Sequence, residues 1–347
     1  MRYIQHSGRR RPPSPRPACI VYADRPLLVK RFRRSPRPTP YPHQRTLPKR
    51  ESKNYLLYAP LRWGEAPEEP ATMTFEHPAA QGLRALLTQP EGAWTLGEGA
   101  LAIARIGRPD LHPGPSLQQL EDLGLAAREQ VARADHPRFA AAGLSRVLFE
   151  RGYRSVGDHA ACPEHALLDQ VLAHKAGTAT ALCVIAMEAG RRAGVRLEGI
   201  GLPGHFILRC SRRDESILFD PAQEGRPLSV ADCRRLVERA TGGRMKFREG
   251  YLRPITQEQI LARLICYLKQ SYWQREKLAQ AATAVQLLLT IRPDDPREIR
   301  DLGRLSHLLG RHDDAIEYFE AYLTFNPCGE DVESVRRMLA ESRAMGS

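Results

Sequence analysis

The chain has 347 residues, too many for one average domain and suited to two of ordinary size. At 42% hydrophobic and 27% charged residues it can bury a sizeable core, yet no apolar run approaches the roughly 18 residues of a membrane-spanning helix, which excludes a helical membrane protein. The formal charge of +12 is unevenly placed: residues 1–72 hold 16 Lys and Arg against 5 Asp and Glu, and 13 of the 27 prolines.

That tail reads as a disordered Arg/Pro-rich extension. Proline lacks a backbone donor, and closely spaced like charges repel, so the segment does not pack. Two other readings stand beside this one. Arg clusters attract phosphates, so any nucleic-acid partner is expected at the tail and not elsewhere. An Arg-rich, acid-poor segment also suits organelle targeting, although its prolines spoil the amphipathic helix such a signal uses. Met73, where helical patterning starts, is a candidate true start. The seven cysteines are odd in number and scattered without CxxC spacing, which points to a reducing compartment. With no charged-then-apolar signal segment at the start, the cytoplasm is the expected location.

Residues 73–250 form the first predicted domain. Leu83, Leu86 and Leu87 open an amphipathic segment. Thr95 and Glu98 make a T-x-x-E capping box ahead of Leu101–Ile106, and Ser116 with Gln119 is read as the same device ahead of Leu120, Leu123, Ala127 and Val131. Helical stripes follow at Leu144–Phe149, at Leu167–Leu172, and from Leu182 to Ala189, the last closed by Arg191, Arg192 and Gly194. The period then changes. Leu197–Leu202, His205–Cys210 and Ser216–Asp220 read as strands, and a helix capped by Ser229 and Asp232 comes next. Helices followed by an antiparallel sheet make an α+β domain.

The hairpin carries the most chemistry. Centred between Arg212 and Arg213, it sets His205 directly opposite Asp220. A carboxylate there orients an imidazole, either as the base–orienter half of a nucleophilic triad or as a plain cross-strand hydrogen bond. His159, Cys162 and His165 form H-x₂-C-x₂-H with Asp158 and Glu164 nearby, but a structural zinc needs four ligands and no clean fourth is present. No metal or cofactor is expected.

Residues 251–347 form the second predicted domain. Two segments align at a 34-residue offset, the tetratricopeptide period. Leu302, Gly303, Gly310, Ala315, Phe319 and Pro327 occupy signature positions in the second, and Leu268, Ala281, Val285 and Pro293 in the first. A helix from Val332 to Ala344 reads as a polar cap. About three repeats make an independent stack, so two plus a cap lean on the preceding domain. Such helices bind proteins or peptides, or serve as bracing.

The run LDQVLAHKAGTATALCVIAMEAGRRAGVRLEGIGLPGHFILR, with ILFDP after it and EGALAIARIGRPDL and SRVLFERGYR before it, resembles the bacterial SirB-type family over residues 73–347. The resemblance implies a transglutaminase-like domain followed by tetratricopeptide repeats. It also implies a Cys–His–Asp triad in active relatives, with His205 in PGHF and Asp220 in FDP as two members. The nucleophile slot, counted back from Arg191–Gly194, falls within Ala179–Ala181, where no thiol stands. Cys183 follows two to four positions later on an apolar run, where a thiol packs and stays inert. The expectation is a non-catalytic regulatory or scaffold protein. A cysteine hydrolase or acyl-transfer enzyme using Cys183, His205 and Asp220 is the alternative.

Overall fold

The computed structural model describes residues 77–90, 92–156, 162–223, 225–325 and 329–346. Expectations about the tail, Met73, Asp158, His159 and Pro327 lie outside them. The first helix, α1 (Pro78–Leu87), starts on a proline whose missing N–H is no loss at a helix N-terminus, and buries Ala79, Ala80 and Leu83. In α2 (Leu96–Ala104) both arms of the Thr95–Glu98 box form. The second expected box does not. Helix α3 (Gly114–Val131) begins earlier, on the Pro113–Gly114–Pro115 turn, which leaves Ser116 buried inside its first turn. Proline preset for helical φ overrides the hydroxyl cap there.

Helix α4 (Pro137–Glu150) follows, then strand β1 (Arg154–Ser155), helix α5 (Leu168–His174) and strand β2 (Ala176–Gly177), which pairs in parallel with β1. Helix α6 (Ala179–Arg192) is capped by the Thr178 hydroxyl and buried through most of its length. It ends on Arg191, Arg192 and a left-handed Gly194, as expected.

An antiparallel meander comes next: β3 (Arg196–Leu202), β4 (His205–Arg212), β5 (Glu215–Phe219) and β6 (Pro227–Leu228). Helix α7 (Val230–Thr241) then carries the expected Ser229–Asp232 box. The strands alternate as a two-sided sheet requires. Phe206, Leu208 and Cys210 join the main core, while Ile200, Leu202 and Ile207 pack on Cys233, Leu236 and Val237 of α7 in a second cluster.

The predicted hairpin register is corrected. Arg212 pairs with Glu215, so the turn is Arg213–Asp214, one residue further along than the sequence suggests. Arg213 takes a left-handed φ of 52° to make it. Asp220 thus falls level with Ile207, and His205 sits diagonal to it on the same face.

The C-terminal helices are α8 (Gln257–Gln274), α9 (Leu278–Ile291), α10 (Pro296–Leu308), α11 (His312–Phe325) and α12 (Val332–Gly346). Leu268, Ala281, Val285, Leu302, Ala315 and Phe319 are all buried. Gly303 has a steric reason: a β-carbon there would stand 2.7 Å from Cδ1 of Phe319. One continuous core runs from α1 to α12. Helix α1 packs on α9 and α2 on α8, where a β-carbon on Gly99 would meet Leu261 at 2.6 Å. The repeat helices, expected to lean on the preceding domain, pack against its first two helices. Among the described residues, no helix is long and apolar enough to cross a membrane.

Candidate functional site

The site is built where α6 crosses the start of β4. Gly204, at a φ of 73°, makes the tight turn that ends β3 and delivers His205 as the first residue of β4. The His205 ring Nε2 lies 2.9 Å from Oδ2 of Asp220, with the imidazole 18% exposed and the carboxylate 1%. An ionised carboxylate only accepts, so the bond to Asp220 favours a proton on Nε2 and turns Nδ1 away from it.

Asp220 is itself held. The Ala222 amide donates to its Oδ1 at 2.9 Å and the Gln223 side chain to its Oδ2 at 3.0 Å. The amide contact is an aspartate turn onto the residue two places on, a signal the Asp220–Pro221 pair carries in the sequence. Gln223 was not anticipated. Nor was Arg263 of α8, whose guanidinium donates to the carbonyls of Leu202 at 3.0 Å and His205 at 2.8 Å. It also sits 5.5 Å from the Phe206 ring centroid. A partner 58 residues downstream leaves no local mark.

Cys183 lies inside α6, fully buried, and its thiol donates to the Phe206 carbonyl at 3.7 Å. The first turn of α6 presents Ala179, Thr180 and Ala181, with no thiol. Two further buried thiols flank the sheet. Burial pushes Cys210 up to about 11 against the pull of Arg212, and raises Cys233 as well. Around the H-x₂-C-x₂-H motif, Cys162 donates to Glu164 at 2.7 Å, and burial and that bond hold the thiol up. His165 leaves a buried Nδ1 without a partner. Among the described residues, no group of three His, Cys, Asp or Glu is placed to hold a metal ion.

The site thus sets His205, the first residue of β4, against Asp220, just past the end of β5, beside the N-terminal half of the buried helix α6. Residues 115–266 match the transglutaminase-like superfamily, and residues 268–340 match the tetratricopeptide repeat. Together with the observed elements, these matches give the fold as a transglutaminase-like domain followed by a helical repeat region. It is similar to a UPF0162 protein of Xylella fastidiosa strain Temecula1, 29% identical over 246 residues that span 70% of this chain and 88% of the relative. A UPF0162 protein of Pseudomonas aeruginosa is 34% identical over 177 residues, 50% of this chain and 63% of the relative. One of Vibrio cholerae is 27% identical over 243 residues, 68% and 87%. No solved structure matches.

Proposed function

We propose that the protein is a non-catalytic regulatory or scaffold protein of the SirB type. Its transglutaminase-like domain, which we end near residue 250, lacks a nucleophile, and its repeat helices bind a protein or peptide. The observation that carries this reading is the thiol of Cys183, fully buried and bonded to the Phe206 carbonyl. A nucleophilic thiol needs a lowered pKa at an accessible position. The cytoplasm is the compartment we assign, in keeping with cysteines that form no disulfide among the described residues.

The alternative, a cysteine hydrolase or acyl-transfer enzyme using Cys183, His205 and Asp220, draws its support from the intact His205–Asp220 hydrogen bond. Iodoacetamide labelling near neutral pH, mapped by mass spectrometry, separates the two. In the folded protein Cys183 should label far more slowly than the half-buried Cys162, and His205→Ala should leave that rate unchanged. Rapid labelling of Cys183 that His205→Ala slows by orders of magnitude would transfer the assignment to the enzyme.

A further inference from the structure

Residues 234–253 hold seven Lys and Arg against two Glu, whereas the rest of residues 73–347 holds 29 against 33. The fold turns this local excess into a surface. Helix α7 buries Cys233, Leu236 and Val237, which leaves Arg234 and Arg239 exposed on its outer side. The loop after it tucks Met245, Phe247 and Tyr251 partly into the second core cluster and leaves Arg244, Lys246 and Arg248 exposed, with Arg253 beyond. Ring contacts join helix and loop into one face. The Arg234 guanidinium sits 5.8 Å from the Phe247 centroid, and Phe247 meets Tyr251 edge-on at 6.3 Å.

Among the described residues, Arg239, Lys246, Arg248 and Arg253 form no ion pair, although Arg235 is paired with Asp232 on the same helix. Exposed cations left without counter-charges repel one another and attract a polyanion. Six of the seven cations are arginines, whose planar forks match phosphate oxygens. The half-exposed rings of Phe247 and Tyr251 add flat apolar faces among the charges, on which bases stack. An acidic protein would feel the same charge but would make no use of those rings.

We infer that this surface binds single-stranded nucleic acid, with the phosphates on the arginines and Lys246 and the bases against Phe247 and Tyr251. The sequence alone placed any such partner at the tail; this surface belongs to the folded part of the chain. It does not depend on whether His205 performs chemistry.

The test uses the full chain and labelled 12-nucleotide RNA and DNA strands, with anisotropy read across a salt series and ultraviolet cross-links mapped by mass spectrometry. A variant carrying Arg239→Gln, Lys246→Gln, Arg248→Gln and Arg253→Gln should bind either strand at least tenfold more weakly. Its log–log salt slope should be shallower by about 3, at ~0.7 for each single-strand phosphate that the variant leaves unneutralised. Cross-links should map to Phe247 or Tyr251. A second variant with the three arginines changed to lysine should keep most of the affinity, which separates loss of charge from loss of fold. Cross-links confined to residues 1–72 with affinity unchanged in the glutamine variant would overturn the inference. So would polyglutamate displacing the labelled strand as well as unlabelled RNA does, which would make the partner an acidic protein.

Discussion

Asp220 is buried to 1% side-chain exposure, yet both carboxylate oxygens are satisfied, by His205, the Ala222 amide and Gln223. Removing it strands the half-buried donors of His205 and Ala222, while the exposed Gln223 side chain can turn to water. Asp220→Ala should therefore cost about 2 kcal/mol in urea unfolding, because donors shielded from water forfeit part of their solvation when orphaned. Asp220→Asn keeps the turn onto Ala222 and should cost about 1 kcal/mol. An alanine variant within about 0.5 kcal/mol of wild type would mean that water replaces the carboxylate. At this scale the sequence is legible in part. The PGHF and FDP motifs suffice to pair His205 with Asp220, although the register inferred for them is off by one turn residue. The turn position depends on Arg213 accepting a left-handed φ, which residue type does not announce.

Between elements, the repeat helices are tied by charges inside their packing. Lys269 of α8 reaches Glu298 at 2.6 Å and Asp301 at 2.8 Å on α10, and Arg300 continues the chain to Asp331 ahead of α12, where Tyr322 also bonds. Burial opposes ionisation of Asp331, but the Tyr322 hydroxyl and Arg300 outweigh it and hold its pKa below the ordinary value. Asp301 is likewise lowered, by Lys269 and Arg300 against burial. Glu298 goes the other way, raised by burial, and takes up its proton first.

A depressed carboxylate stabilises fully above its unfolded pKa, near 4, and loses that contribution as pH falls through its lowered folded value. The gap in melting temperature between wild type and Asp331→Asn should therefore be full above the unfolded carboxylate pKa and narrow as the pH falls below it, as circular dichroism melts would report. A gap that widens on acidification would refute the sign. Helix starts at this scale are legible where the cap is local chemistry, as at Thr95–Glu98 and Ser229–Asp232. They are misread at Ser116, where the Pro113–Gly114–Pro115 turn acts first. The charge chain from Lys269 to Asp331 joins residues dozens of positions apart and carries no periodic signal.

For the whole molecule, the decisive contacts join distant parts of the chain. Helix α1 packs on α9, α2 on α8, and Arg263 clasps the turn that delivers His205. The repeats thus complete their core with surfaces made much earlier in the chain. A fragment of residues 255–347 should show no cooperative thermal transition, while the full chain melts in one; a sharp melt of the fragment would mean that the repeats stand alone. The order of synthesis gives the α1–α9 contact a further consequence. Helix α1 leaves the ribosome roughly 200 residues before α9, which at ~5–20 residues per second is a delay of about 10–40 s. Until then α1, with Leu83 buried at its centre, has only the neighbouring α2 to pack on and lacks the cover that α9 supplies. Slow translation between the two helices lengthens that exposure, and a chaperone that held α1 would be displaced by a helix made roughly 200 residues later.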